Sequence, residues 1–420
     1  MIIRKYKPFV VAVTGSVGKT STKDAIYCVL KDQSKFVRKS EKSMNSEIGL
    51  PLTIIGVANA WHNMAGWMKN IIAGLNLIIW KKDYPDCLIL EIGADHPGDI
   101  KKVVKWLHPD IAVITKVSST PVHVEFFKSP EQVFEEKAAL ATGVKNNGTL
   151  VLFADDEKVM SLANCLIGGV KNKVVTVVSY GLNFTATVKG LNDQIIYENG
   201  SIKGLSFNVA TDSMTAPVFI RNVIGNVYMY PLLAAVAVGK ARGVTLELMV
   251  KALSDFEAPH GRMNVISGIN GSTIIDDTYN SSPDAVMSAL ETLKGLQCSG
   301  SKIAILGDMM ELGKYSAEEH RKIGKEVGKI ANQLITIGQR SRATAEEAVN
   351  NGLEALSIHS FDTSNEASDF ARSIVKAGDI VLVKGSQSVR AEKVVKVLLK
   401  EPEKADKLLV RQEKEWLEKK

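Results

Sequence analysis

The stretch Val11-Ala-Val-Thr-Gly-Ser-Val-Gly-Lys-Thr-Ser21 constrains this chain more than any other, because β-branched residues run into a glycine-rich turn and then Lys-Thr. A strand passing through such a turn into a helix turns backbone N–H groups and a positive helix N-terminus toward an anion. Gly15 and Gly18 allow the turn, Lys19 supplies a point charge for outer phosphates, and Thr20 offers a hydroxyl to the Mg²⁺ that accompanies a nucleotide triphosphate. Thr14, Gly15, Ser16, Val17, Gly18, Lys19, Thr20 and Ser21 are therefore the expected phosphate-binding set. The widespread form G-x-x-x-x-G-K-[ST] has a glycine where Val13 stands, so this loop is the shorter T-G-x-x-G-K-T. A ligand-free glycine turn is the bland alternative, and the Lys-Thr pair after the second glycine argues against it.

With 420 residues the chain exceeds one ordinary core, so two or three packed domains are expected. Strand-like runs at 9–14, 87–92, 111–115 and 149–153 alternate with helical patterns, which argues a parallel sheet with helices on both faces. From about 174 to 222, short β-rich runs with turn signals such as Glu198-Asn-Gly200 read as a small antiparallel sheet appended to that unit. Helical pattern returns at 229–256. A turn at Ala258-Pro-His-Gly-Arg262 then precedes a second α/β series with strands near 273–276, 302–306, 333–337 and 379–383. The expected organisation is α/β throughout. Residues 1–258 form a parallel-sheet P-loop ATPase domain, 259–400 a Rossmann-like domain, and 401–420 a charged tail lying on the surface as a helix.

A formal charge of +6 is spread along the sequence without an arginine-rich run, which argues against a nucleic-acid partner and suits small anionic substrates. Cys28, Cys87, Cys165 and Cys298 lie far apart and form no C-x-x-C pair, so reduced thiols in a cytoplasmic protein are expected. The first ten residues are mixed basic and apolar, unlike a leader peptide. Trp61 to Trp80 carries three tryptophans, but Lys69, Asn70 and Asn76 interrupt it, far short of the roughly 20 apolar residues of a spanning helix. No transmembrane span is expected there. A buried or partner-facing helix is the main reading, with an interfacial membrane helix beside it.

Nine segments, in order along nearly the whole chain, resemble the Mur ligases, the ATP-dependent amide-forming enzymes of peptidoglycan precursor synthesis. They are Thr14–Thr20, Asn45–Leu52, Glu91–Ala94 with Pro97-Gly98, His123–Ser129, Glu136-Lys137, Gly261–Met263, Asp276–Pro283, Leu306–Gly313 and Lys384–Ser386. The resemblance is greatest to members that add D-alanyl-D-alanine to UDP-N-acetylmuramoyl-tripeptide. It implies that ATP phosphorylates a muramoyl-peptide carboxylate and that the amine opens the acyl phosphate, in a cytoplasmic enzyme expected to be a monomer. It also implies two Mg²⁺ ions, one on Thr20 and Glu91, the other on His123 and a Lys137 carrying a CO₂-derived carbamate. Arg262, Asp277, Tyr279 and Asn280 would reach ATP as the second domain closes, and Lys19, Glu91, His123, Lys137 and Arg262 would be the catalytic set.

Without the resemblance these residues read more plainly. Glu91 ends an apolar strand, where ligands of parallel sheets gather or where a solvated carboxylate simply stands. His123 reads as a loop residue, and Lys137, after Glu135-Glu136, as a solvated lysine on a charged helix. Leu306–Gly313 and Lys384–Ser386 read as ordinary loop packing, where the resemblance implies a lining of the amine's pocket. His320 matches a family histidine to which the sequence alone gives no role.

Two departures bear on substrates. Relatives carry a UDP-binding domain before the nucleotide loop, whereas thirteen residues precede Thr14 here, so that domain is expected to be absent. Relatives also show G-x-H-N-x-x-N-x-L-A-A where this chain has Ile224–Ala235. Val227, Tyr228 and Pro231 replace the His and both Asn, so Asn226 or the tyrosine rings are expected to serve adenine instead. Two other functions stay open: a related ligase with a different acid, such as a folate-type polyglutamylating enzyme, and a non-catalytic ATP-binding subunit of a wall-synthesis complex.

Overall fold

The apolar run Phe9–Thr14 forms β1, and every residue of it after Phe9 is buried. Continuous burial, rather than alternation, marks a strand covered on both faces. β2 (Val37–Lys39), β3 (Cys87–Glu91), β4 (Ile111–Ile114), β5 (Gly148–Phe153) and β6 (Val175–Gly181) join it in parallel. β7 (Val188–Glu198), β8 (Ser201–Ala210) and β9 (Thr215–Arg221) complete one sheet in the order β2-β3-β1-β4-β5-β6-β7-β8-β9. In this computed structural model the described residues are 1–41, 44–169 and 174–418, with side chains described for all of them except 165–169.

The antiparallel strands after residue 174 are appended along the edge of that same sheet. β6 still runs parallel to β5, and meets β7 only at Tyr180–Val188 and Gly181–Lys189, before β7, β8 and β9 turn antiparallel. β9 alternates exposed and buried residues, as an edge strand with one wet face does.

Helices cover the sheet: α1 (Ile2–Tyr6), α2 (Lys19–Leu30), α3 (Gly49–Ile55), α4 (Met64–Ile79), α5 (Asp99–Val104) and α6 (Pro130–Thr142). α6 starts where Ser129 caps it, accepting from the Gln132 N–H at 3.4 Å, with Pro130 in the first turn. The helix Met229–Ala241 is buried from Leu232 through Gly239 and packs against α2, β5 and β6, as a helix apolar on all sides must.

A second sheet holds β10 (Asn264–Ser267), β11 (Thr273–Asp277), β12 (Lys302–Gly307), β13 (Gln333–Ile337), β14 (Ile358–Phe361) and β15 (Ile380–Lys384), in the order β10-β11-β15-β12-β13-β14. Only β10 with β11 is antiparallel. The four strands expected from sequence stand within a residue of their places. β2, β10 and β14 were not foreseen, because each is short and only partly buried and so lacks a clear apolar run.

One segment departs from expectation, and in a second one of two alternatives is excluded. The tail from Glu401 is no surface helix: Ala405, Leu409 and Val410 are buried, and Arg411 is buried with its guanidinium on Glu392 Oε2 at 3.0 Å and on the carbonyls of Thr278 and Tyr279. Four buried positions among many charges leave too weak a pattern to read. For α4, the buried alternative is excluded, since Gly74 is its only buried residue. Among the described residues no helix is long and apolar enough to cross a membrane. Cys28, Cys87 and Cys298 are free thiols, and the Cys165 side chain lies outside the described ones.

Candidate active site

Both sheets turn the carboxyl ends of their parallel strands toward one cleft of about 840 Å³, the edge at which open α/β sheets hold ligands. From the first sheet come the loop after β1, Glu91 at the end of β3, and His123 beyond β4. From the second come Tyr279 and Asn280 after β11, Glu311 after β12 and Ser386 after β15.

The loop has the backbone its glycines imply, with φ of 146° at Gly15 and 84° at Gly18. A Cβ on Gly15 would stand 1.9 Å from Thr115 Oγ1, so nothing larger fits. Ser16 and Val17 N–H groups donate to the Lys116 carbonyl at 2.8 and 3.3 Å. Lys19 Nζ lies back over the loop, donating to the carbonyls of Gly15 at 2.9 Å and Ser16 at 3.3 Å. Burial lowers the Lys19 pKa; Arg262 across the cleft pushes the same way, against Glu91 and Asp95. Two cations facing a helix N-terminus with too little counter-charge are a setting for an anion. Thr14 and Ser21 stand behind the loop. The Thr14 hydroxyl donates to the Ile92 carbonyl at 2.9 Å, and Ser21 lines a smaller hollow with Asp277.

Thr20 and Glu91, 71 positions apart, meet directly: the Thr20 hydroxyl donates to Glu91 Oε1 at 3.2 Å. Asn45 Nδ2 donates to the same oxygen at 3.2 Å, and Lys23 Nζ stands 4.0 Å from Oε2. Among the described residues no group of three or more His, Cys, Asp or Glu is assembled for a metal ion. A hydroxyl and one carboxylate nevertheless suit Mg²⁺, which keeps several waters and takes its remaining oxygens from phosphates.

His123 adopts φ 69° and bridges the two sheets' loops, its Nδ1 2.8 Å from Glu311 Oε2 and its Nε2 3.5 Å from Asp95 Oδ1. The hydrogen bond to His123 holds Glu311 below the usual carboxylate range. Lys137 is buried in α6 and does not line the cleft directly. Burial first, then the charge of Lys19, brings its pKa down to about 7. Its neighbour Glu136 instead caps α5, accepting the N–H groups of Gly98, Ile100 and Lys101 at 2.7, 2.6 and 3.2 Å.

Across the cleft, the Arg262 guanidinium lies 4.2 Å from the Tyr279 ring centre, with Arg411 at 5.8 Å from the same ring. Asp277 does not face the main cleft. It is salt-bridged at 2.6 Å to buried Lys384, whose Nζ also donates to the Asn280 carbonyl at 2.9 Å. His320 finds its role here: its Nε2 accepts the Met309 N–H at 3.1 Å, so Nδ1 carries the proton donated to the Ser316 carbonyl at 2.7 Å. That neutral ring, kept so by burial, ties the Leu306–Gly313 loop to the following helix.

Residues 13–66 and 69–239 match the Mur ligase middle domain, and residues 261–387 match the Mur ligase glutamate ligase domain. The chain belongs to the Mur ligase family. It is an ATP-dependent ligase by that membership. The UDP-N-acetylmuramoyl-tripeptide–D-alanyl-D-alanine ligase of Bacillus subtilis is 27% identical over 395 residues, which are 94% of this chain and 76% of that protein. Among solved structures, the MurF ligase of Thermotoga maritima in complex with ADP superposes with TM-score 0.75 at 27% identity, covering 96% of this chain and 82% of that one. MurF from Acinetobacter baumannii shares the fold, with TM-score 0.76 at 22% identity over 94% of this chain and 77% of that one.

The cleft of this Mur ligase also includes residues that carry little or no signal in the sequence. Asn45 opened a family-like segment and so had a signal. Glu311 lay in one too. Arg340, Arg390 and Trp416 line the cleft with no signal at all, since folding alone brings them there. At the altered segment, Tyr228 donates its hydroxyl to the Arg262 carbonyl and so ties the two halves together. Tyr230 and Pro231 line a hollow beside Gly18 with Phe153, whose ring meets Tyr230 edge-on at 4.8 Å.

Proposed function

We propose that this Mur ligase joins D-alanyl-D-alanine to the free carboxyl of a muramoyl-tripeptide, through an acyl phosphate made from ATP. The reading is supported above all by the phosphate loop, the Thr20–Glu91 oxygen pair and the Arg262–Tyr279 face meeting in one cleft. The relatives that carry this activity in their names match over nearly the whole chain.

In the first step a carboxylate oxygen attacks the γ-phosphorus and ADP leaves. In the second the amine attacks the acyl carbon, phosphate leaves, and the amine's proton goes to solvent. Both steps gather negative charge between phosphates and carboxylate. Lys19 and the N–H groups at the start of α2 hold the phosphates, those of Ser16 and Val17 being engaged on the Lys116 carbonyl. Arg262 faces the γ-phosphate, stacked on Tyr279 so that its charge is already placed. Thr20 and Glu91 would hold one Mg²⁺, which when bound neutralises phosphate charge. His123 and Lys137 would hold a second. A lysine with pKa about 7 is half neutral at pH 7, the form whose nitrogen adds CO₂, and the resulting carbamate is the oxygen-rich anion that hard cation takes. Asp277 acts on ATP only through Lys384 and Asn280. Tyr230 and Pro231 offer the adenine an apolar wall in place of the missing His and Asn.

A division near residue 258 puts the ATP side in 1–258 and the amine side in 259–400. ATP and the UDP-linked precursor place the reaction in the cytoplasm, and one chain, acting as a monomer, supplies every residue invoked. The test is phosphate release from ATP with Mg²⁺ and bicarbonate, using UDP-N-acetylmuramoyl-tripeptide with and without D-alanyl-D-alanine. Release that requires both, gives an amide by mass spectrometry and vanishes in Lys19→Ala supports the reading. Turnover on another acid alone, or ATP binding without turnover on any substrate pair, would sink it.

A further inference from the structure

α4 leaves most of its apolar side chains outside its own core, packing only Leu77 and Ile78 partly against it. Toward the protein it turns Gly74, against the Ile55 side chain, and Asn70, whose Nδ2 donates to the Ala58 carbonyl at 2.9 Å. Toward solvent it turns Met64, Met68, Ile71, Ile72, Leu75 and Ile79, spaced at i, i+4, i+7, i+8, i+11 and i+15 and between 50% and 81% exposed. At 3.6 residues per turn that spacing is one continuous stripe about 24 Å long. The stripe is held stiffly. Asn63 caps the helix start by accepting the Gly66 N–H at 3.0 Å, and Lys5 Nζ donates to the carbonyls of Leu77, Ile78 and Trp80 at its end, at 2.8 to 2.9 Å. Ile78 carries the apolar surface into a groove of about 450 Å³ lined by Ile2, Ile3, Ile54, Ile55 and Trp106.

The polar residues around this face select its partner. Trp61 stands at one end of the stripe and Trp80 at the other, and with Trp67 and Trp106 four of the chain's five tryptophans lie here. Lys69, Lys81 and Lys82 are exposed on or beside α4, with Arg4 and Lys7 next to it. No acidic residue occurs before Asp24 or between Glu47 and Asp83. A patch of this size and apolarity marks an interaction site. Lysines are depleted at protein interfaces, and a second copy laid symmetrically on the face would set these cations against one another. An aliphatic stripe between tryptophans, edged mainly by cations with Asp83 the one carboxylate beside its Trp80 end, has the chemistry of a surface lying in the headgroup region of an anionic bilayer. We propose that α4 and the adjoining groove dock this protein on anionic lipid membranes as a peripheral, non-spanning contact. α1 leads into the amino end of β1, whereas the phosphate loop follows its carboxyl end, so docking leaves the cleft open to water.

The test is flotation of the full chain with vesicles of phosphatidylglycerol mixed with phosphatidylcholine, and with phosphatidylcholine alone, with tryptophan emission read in parallel. The expected result is flotation with anionic vesicles, weakened by salt, and a blue-shifted emission. In Met68→Glu/Leu75→Glu the partition coefficient should fall roughly tenfold or more. The melting temperature should not fall, because both side chains already face water. Flotation of that variant equal to the original chain would overturn the proposal, as would absence of the original from anionic vesicles. Light scattering that shows a dimer dissolved by the same variant, without vesicle binding, would assign the face to a second copy and overturn it too.

Discussion

Asp276 is fully buried at the end of β11, where its Oδ1 accepts the Thr278 N–H at 3.1 Å and hydroxyl at 2.6 Å while Oδ2 has no hydrogen-bond partner. Burial, opposed by those hydrogen bonds, raises its pKa from 3.8 to about 7. A carboxyl whose folded pKa is raised binds its proton more tightly when folded. Its contribution is therefore complete below the unfolded value and is lost as pH rises through the folded one. With 3.8 unfolded and about 7 folded, linkage gives a loss of roughly 2–3 kcal/mol between pH 5 and pH 8 from this group alone. Asp276→Asn removes the titration and keeps the oxygen that serves Thr278. Its buried amide N–H₂, lacking an acceptor, costs about 1–3 kcal/mol at every pH. Urea unfolding of both proteins at pH 5 and pH 8, followed by far-UV circular dichroism, isolates the effect, because all other carboxylates cancel in the difference. The variant should gain roughly 2–3 kcal/mol on the parent between the two pH values. A difference constant within about 0.5 kcal/mol, the usual tolerance of additivity, would refute the placement of a protonated carboxyl here.

Two further outcomes follow from the same geometry. Lys384→Met leaves Asp277 buried beside an apolar chain, and should cost about 3–5 kcal/mol in urea unfolding. Lys384→Met/Asp277→Leu should recover at least half of that, and no recovery would mean the pair is not coupled. Gly15→Ala combines an unfavourable φ with a 1.9 Å clash at Thr115, so fluorescent ADP should bind roughly tenfold or more weakly, with strain of about 1–3 kcal/mol. Unchanged affinity would show that the loop takes another path.

What the sequence carried was local or periodic. The phosphate loop spans eleven consecutive residues, so its strand, turn and helix could be read in place. Glu91 could be read because a carboxylate ends an unbroken apolar strand, and the eight strands that were foreseen could be read because each is covered on both faces. The family-like segments added His123, Lys137 and Arg262 as candidates without saying what each would touch. Folding then brought Thr20 and Glu91 into contact, set His123 against Glu311, and gave Glu136 the task of capping α5.

Other features had no local signature. The tail's few buried positions are lost among its charges, yet Trp416 completes the cleft wall from beyond the second sheet, and buried Arg411 braces Thr278 and Tyr279 behind it. Tyr228 reads as a lost base-binding residue until its hydroxyl is found on the Arg262 carbonyl. α4 shows the limit most plainly. Its spacing declares an amphipathic helix about 24 Å long, but periodicity fixes only which residues share a face. Which face turns inward depends on how α3, α1 and the sheet edge compete for contact, and that competition, settled by close packing of distant segments, is decided by the tertiary structure alone.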